Sequence, residues 1–345
     1  MKKIIFSLFL FFPIISFSQK PVKISHNPTE KQIAVEIDGK LFTNYFYPGK
    51  DVLKKAVLYP VYSPKGTLVT RGWPLHPRSG ERVDHPHHVG VWFNYEDANG
   101  HDFWNNSIEV EKSGSKRTFG TIVHTGIKKV KSGKNKGEII VTADWLDKEG
   151  QIMLKEETRL LFSGNENANI VDRITTLKAA KNKVVFKDVK DGLYAIRVAR
   201  ELEMPSNKAE IFTDAAGLAT AVPKLDNTNI SGNYLNAEGI KGEDTWGKRS
   251  AWVTLQGKIN EEAISISIID HPKNVSYPSY WHTRGYGLFS VNPLGVNVFT
   301  NGKESLNLTL EPGQSTTFRY RLAVSSSTLS SNENQKLADD FAKVK

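Results

Sequence analysis

Apolar and polar side chains alternate through residues 31–38, Lys-Gln-Ile-Ala-Val-Glu-Ile-Asp, a period of two that turns one set toward a core and the other toward water. Asp38-Gly39 then begins a turn, and Leu41-Phe-Thr-Asn-Tyr-Phe46 returns as the second strand of a hairpin. The pattern recurs at 119–130, 138–146, 152–162 and 168–177, with turn-forming Ser132-Gly-Lys, Lys148-Glu-Gly150 and Ser163-Gly-Asn165 between. Four long strands joined by such short turns predict an antiparallel meander. Further strands are predicted at 263–269, 296–300, 305–310 and 316–324. The one predicted helix covers 332–344, where Leu337 and Phe341 stand four apart, and it reads as a terminal cap.

Many strands, few helices and no strand-helix-strand alternation predict an all-β fold: a large antiparallel β-sandwich of two extended sheets with a short C-terminal helix. No Pro- or Ser-rich linker divides the chain, so 19–345 reads as one domain. Residues 205–248, rich in Asn, Gly and Asp and carrying Tyr234 and Trp246, form the least regular stretch. Long loops in compact domains tend to serve a function, so this one is expected to border a site.

Composition adds a compartment. Lys2-Lys3, an apolar run over 4–15 and Ser16-Phe17-Ser18 read as a secretory signal cut after Ser18, which predicts a periplasmic or secreted protein. The run is too short to span a bilayer comfortably, and no later segment is apolar enough to do so. With Cys 0 there is neither a lipoprotein anchor nor a disulfide framework, so stability must come from the core. The formal charge of +9 falls to +7 without Lys2 and Lys3, and the one basic run, 128–136, reads as a solvated hairpin turn. Nucleic acid is not expected as a partner of an exported chain.

Five of the nine histidines fall within 76–101: His76, His85, His87, His88 and His101. Imidazole moves protons or holds metals near neutral pH, so this crowding locates a site. Pro86 cannot donate to a ladder, which makes 84–88 a loop leading into a strand that starts near Val89. Glu81, Asp84, Glu96, Asp97 and Asp102 accompany the imidazoles, and a carboxylate beside an imidazole raises its pKa and fixes its tautomer. A second constellation over 270–293 repeats the chemistry with Asp270-His271-Pro272, Asn274, Tyr280-Trp281-His282 and Arg284, and the two are expected to meet at one end of the sandwich. His-x-His-His lacks a diagnostic metal partner, so no metal or other cofactor is assigned. There is no nucleophile elbow, thiol or phosphate loop. Tryptophans among Asn, Asp, His and Arg suit a sugar or glycan as partner.

Gly80-Glu81-Arg-Val-Asp84-His85-Pro86-His87-His88, Asn99-Gly100-His-Asp102-Phe103-Trp104, Asp191-Gly192-Leu-Tyr194-Ala-Ile-Arg197, Arg249-Ser-Ala-Trp252, Asp270-His271-Pro272-Lys-Asn274 and Trp281-His282-Thr-Arg284-Gly-Tyr286, in this order, resemble the PmoA-like proteins, exported proteins of unknown function from glycan-degrading bacteria. The resemblance runs from about Thr67 to Val324. It implies a sandwich similar to galactose-mutarotase-like folds and a setting in polysaccharide breakdown. The methane monooxygenase subunit behind the family's name is a membrane protein, and no chemistry is taken from it. The expected activity is acid-base chemistry on a sugar or glycan: His87, His88, His271 or His282 as acid or base, Glu81, Asp84 or Asp270 as partner, and Arg284 for a carboxylate or oxyanion. Trp92, Asn99, Asp102, Trp104, Asn274, Tyr280 and Trp281 are the expected substrate contacts. Epimerase, lyase and hydrolase stay open, as do a non-catalytic glycan-binding protein and a His-ligated metal enzyme.

Overall fold

The computed structural model describes residues 19–345, so the expected signal at 1–18 lies outside the described residues. The first strands are Val22–Asn27 (β1), Gln32–Ile37 (β2), Lys40–Phe46 (β3), Val57–Val61 (β4) and Val91–Tyr95 (β5). The predicted meander follows as Thr121–Lys131 (β6), Gly137–Leu146 (β7), Ile152–Gly164 (β8) and Ala168–Ala179 (β9). Next come Val184–Val185 (β10), Gly192–Arg197 (β11), Glu210–Thr213 (β12), Ala219–Val222 (β13) and Asn233–Asn236 (β14). Trp252–Ile259 (β15), Glu262–Asp270 (β16), Tyr280–Arg284 (β17), Leu288–Asn292 (β18), Thr309–Leu310 (β19) and Ser315–Ser325 (β20) complete the strands. The α-helices are Ile108–Lys112 (α1), Val296–Phe299 (α2) and Ser331–Phe341 (α3).

These strands build two large antiparallel sheets of eight strands each, in the orders β1-β2-β3-β4-β5-β11-β18-β17 and β14-β15-β16-β20-β9-β8-β7-β6. The fold is therefore mostly β, as predicted. Asp38 and Gly39 both adopt positive φ, 53° and 75°, the turn geometry that matches the twist of the flanking strands β2 and β3. Between the sheets, the Phe93 ring lies 6.3 Å from Trp145 and 5.9 Å from Phe318, and Tyr194 stacks on Tyr320 at 5.4 Å. Side chains alternate, so Trp92, facing away from this core, packs with Val57, Tyr59, Val89, Trp104, Ala195 and Leu288. The first sheet is thus packed on both faces, and the functional groups gather on this outer one.

Two predicted strands differ in the structure, for one reason. Asp188 accepts hydrogen bonds from the backbone N–H of Asn297 (3.0 Å), Leu306 (2.7 Å) and Asn307 (2.7 Å). The chain wraps around this buried carboxylate instead of pairing. Residues 296–300 become the short helix α2, and only Thr309–Leu310 of the predicted 305–310 is a strand. The irregular 205–248 stretch contains the β12-β13 hairpin, whose Ile211 and Thr213 carbonyls accept from the N–H groups of Val83 and Gly80. It buttresses the segment just before the histidines.

Helix α3 closes the second sheet. Ser330 and Glu333 form a capping box at its start, and Phe341 at its end is buried in a cluster with Trp252 and Ile269. Among the described residues no helix is long and apolar enough to cross a membrane. Phe341→Ala should cost about 3–5 kcal/mol of unfolding free energy in urea titrations. A loss below about 1 kcal/mol would mean that α3 adds nothing to the sandwich.

Candidate functional site

The histidine loop is wound around one buried guanidinium. Arg71 donates through Nη1 to the carbonyls of Asp84 (2.8 Å) and Arg82 (3.3 Å), and through Nη2 to those of His85 and His88 (3.0 Å each). Its Nη1 also meets Asp84 Oδ1 at 2.6 Å, the same oxygen that Arg197 of β11 reaches at 2.6 Å. Asp84 Oδ2 holds His85 Nδ1 at 2.6 Å. Burial works to raise the Asp84 pKa, but Arg197, His85 and Arg71 hold its carboxyl well below the usual carboxylate range. Burial and the like charge of Arg197 bring Arg71 down to about 9, so it is charged at neutral pH. Asp84 is therefore the counter-ion of a guanidinium pair.

Clasped this way, the loop lays its rings in order. Tyr286, His85, His88 and Trp92 form a near-parallel stack, with successive ring centroids 5.1, 4.8 and 5.1 Å apart. His87 stands across it, 79° to His88 at 4.4 Å. Arg197 Nη1 lies 3.2 Å from His88 Nδ1, which must accept and so places the ring hydrogen on Nε2. Neither ring nitrogen of the buried His87 has a partner among the described residues. Burial, with Lys55 and His85 adding to it, pushes the His87 pKa well down although Asp191 opposes the shift; burial and the neighbouring His87 do the same to His88. Both imidazoles are neutral at pH 7; the His88 lone pair is already taken by Arg197, whereas His87 keeps one open. Lys55 Nζ donates to the His87 carbonyl at 2.8 Å from beneath.

Carboxyls meet this loop from two neighbouring strands. Asp191, at the start of β11, lies with Oδ1 3.2 Å from His282 Nδ1 and is ion-paired to Lys190. The 3.2 Å contact is misaligned for a well-formed hydrogen bond, and since burial lowers the His282 pKa the ring faces Asp191 as a neutral dipole. Arg284 Nε donates to His282 Nε2 at 3.1 Å, which puts the ring hydrogen on Nδ1, facing Asp191. Burial works against ionisation of Asp191, but His282 and Lys190 hold its pKa low. Glu96 follows β5, and its N–H donates to the Asp191 carbonyl at 3.0 Å. Burial, then the charges of Asp191 and Asp102, raise Glu96 to about 7 even with Arg117 Nη1 3.1 Å away. Two neighbouring carboxyls thus have pKa values pushed apart, Glu96 up and Asp191 down, the arrangement that separates acid and base roles.

The structure divides the expected site residues. His87, His88, His282, Arg284 and Asp102 belong to the outer face, with Trp92 and Trp104 as its buried floor. Glu81 is saturated instead, accepting from the N–H of Gly72 (2.9 Å) and Trp73 (3.1 Å) and from Arg78 Nε (2.9 Å), and so ties the loop as Asp84 does. Asp270 and His271 do not reach the histidine loop. Asp270 ends β16 in the other sheet, accepting from Asn274 Nδ2 (2.7 Å) and the Ser279 N–H (2.8 Å), and burial raises it to about 6. His271 Nε2 lies 3.2 Å from the Val344 carbonyl, and its ring stands edge-on to Phe341, holding the chain end. Residues 271–279 carry the chain from one sheet to the other, so only β17 reaches the site, and alternation sends His282 and Arg284 outward and Trp281 into the core. Trp281 Nε1 donates to the Ser250 carbonyl there at 3.0 Å. Asn274 fastens its turn to Arg319, Asn99 fastens a turn to Lys183 and Val185, and Tyr280 is stacked on Phe299. These contacts are structural.

Sequence reasoning assigned no role to Asp191, Arg197, Arg71, Lys55 or Glu96. Asp191 precedes β11 and Arg197 ends it, so charges at both ends of the apolar run 193–196 were the available signal. Among the described residues no group of three or more His, Asp or Glu side chains is placed to hold a metal ion.

A family of unknown function (DUF6807) matches residues 32–339. The chain belongs to that family. The DUF6807 match does not by itself show the PmoA-like kinship that the motifs suggested. No curated protein matches the sequence. Among solved structures, the chain is similar to a GH36 α-galactosidase from Geobacillus stearothermophilus (10% identity, 88% of this chain, 41% of that one, TM-score 0.36). An α-galactosidase from Lactobacillus brevis gives 8% identity over 89% of this chain and 39% of that one, with a TM-score of 0.39. A putative aldose 1-epimerase from Escherichia coli K12 gives 9% identity over 89% of this chain and 99% of that one, with a TM-score of 0.31. This DUF6807 chain thus spans less than half of either α-galactosidase, and at these TM-scores the likenesses carry no argument about its chemistry.

Arg71→Leu should strip the loop carbonyls of their donor and unbalance Asp84, at about 3–5 kcal/mol. Hydrogen-deuterium exchange should quicken across 82–88 before the rest of the chain; equal protection in variant and parent would contradict the clasp.

Proposed function

We propose that the outer face of the first sheet is the catalytic site of an exported enzyme that moves protons on a sugar or glycan. The observation that carries the reading is geometric: the Glu96 N–H donates to the Asp191 carbonyl at 3.0 Å, which brings the two carboxyl-bearing residues together, and the buried His87 on the same face has no partner on either ring nitrogen among the described residues. Burial and the charges of Asp191 and Asp102 raise Glu96 to about 7, whereas Asp191 is held low. Glu96 serves as the acid, giving its proton to a ring or glycosidic oxygen, and His87 as the base. Asp191 and Arg284 hold His282 in one tautomer beside them. An acid and a base on one face fit epimerisation, elimination and hydrolysis alike. The signal-like stretch 1–18 and the motif resemblance support a periplasmic or secreted setting and a role in polysaccharide breakdown. A purely binding role has less support, because Trp92, Trp104 and Trp281 are buried and offer no flat platform to a sugar ring.

The test is a panel of bacterial and plant glycans and reducing sugars incubated with the mature protein, with and without chelator. Turnover should survive the chelator. Because the acid form of Glu96 is lost as pH rises through about 7, kcat should fall on the alkaline side. Glu96→Gln should lower kcat by about 10²–10⁴-fold and remove that alkaline limb, and His87→Ala should lower it comparably. Retained binding without turnover across the panel would overturn the catalytic reading, and an alkaline limb that persists in Glu96→Gln would overturn the assignment of the acid.

A further inference from the structure

A cavity of about 370 Å³ with Lys55 in its lining lies between the β3-β4 connection and β6. Its charged lining is cationic, Lys31, Lys50 and Lys55, and no Asp or Glu lines it. Lys31 is already engaged by the Pro48 carbonyl at 3.1 Å. Lys55 is different: it is 5% exposed, and its hydrogen-bond acceptor is the His87 carbonyl. No carboxylate among the described residues comes within ion-pair distance of it, although the adjacent Lys54 pairs with Glu111 at 2.7 Å. An ammonium buried without a counter-ion is costly, and a bound anion removes that cost. Burial accordingly presses Lys55 down to about 7 against the pull of Asp102.

We propose that this cavity binds a ring-sized organic carboxylate, with Lys55 as its counter-ion. Apolar walls from Leu53, Ala56 and Ile122 favour an organic body over an inorganic anion. The size is that of a small-ligand pocket. On one wall Tyr47 and His124 lie with ring centroids 4.2 Å apart, fixed by His26 to Tyr47 Oη (2.6 Å) and Tyr45 Oη to His124 Nδ1 (3.2 Å). Burial, aided by His26, lowers His124 to about 4, so it contributes a hydrogen bond rather than charge. The proposal stands apart from the catalytic reading, although Lys55 touches the backbone of His87.

Isothermal titration calorimetry on the intact mature protein tests it, using glucuronate and 4-hydroxybenzoate, their neutral counterparts glucose and benzyl alcohol, and inorganic phosphate. At least one carboxylate should bind, about tenfold or more tighter than its neutral counterpart. Glucuronate alone would identify a sugar acid, and 4-hydroxybenzoate alone an aryl acid. Lys55→Met should weaken that binding about tenfold or more, and Lys50→Gln, at an exposed position that folding does not need, about two- to threefold. The proposal is overturned if neither carboxylate binds, if phosphate binds in their place, if the neutral compounds bind as tightly, or if both variants keep full affinity. Glycan turnover in the panel above is read on the parent protein, so the two readings fail separately.

Discussion

Arg71, Asp84 and Arg197 set one physical constraint on which the whole outer face depends. Two guanidiniums buried at 1% and 0% exposure repel each other and are tolerable only with a carboxylate between them. Asp84 supplies it from a loop, so neutralising the strand-borne Arg197 also pins the loop to the sheet. The spare donors of Arg71 then take four loop carbonyls, which water would otherwise have to satisfy. Without this clasp the segment between Glu81 and Val89 would have no reason to curl, and its imidazoles would not stack.

The clasp works because the first sheet is covered on both sides. Alternation on β5 sends Val91, Phe93 and Tyr95 into the sandwich and Trp92 out to a second apolar layer. That layer is what the His85-His88-Trp92 stack rests on, and it removes water from beneath the charges. Low polarity under the loop is also what lowers the imidazole pKa values and lifts that of Glu96.

Electrostatic asymmetry follows from which partner each carboxyl finds. Asp84 faces two guanidiniums and Asp191 faces His282 and Lys190, so both stay ionised. Glu96 is partly buried, sits near two negative charges and shares Arg117 with Asp102, so its pKa rises to about 7. Carboxyls thus acquire two behaviours on one surface, and the difference lies in burial and in the neighbours brought by β5, β11 and the histidine loop.

The sequence by itself determined the β2-β3 hairpin, the β6 to β9 meander and the strands at β5, β16 and β20, because a period of two and a Gly-containing turn are local properties of the chain. It also marked the histidine loop as the place of interest, through residue types that packing alone does not require. Where a buried side chain overrode local propensity the pattern misled, as when Asp188 drew the backbone of α2 and of 306–307 around itself. Partnership was decided by tertiary structure. Glu81, Asp84 and Asp270 look alike as free carboxylates in the sequence, yet the first two clamp a loop and the third closes a turn in the other sheet. His271 and His282 are eleven positions apart in the chain and end on different sheets, because 271–279 crosses between them. Asp191 and Glu96, far apart in the chain, meet because β5 pairs with β11. Protonation states depend on distance and burial in three dimensions, and these follow from which strands become neighbours, a choice that no short stretch of sequence contains.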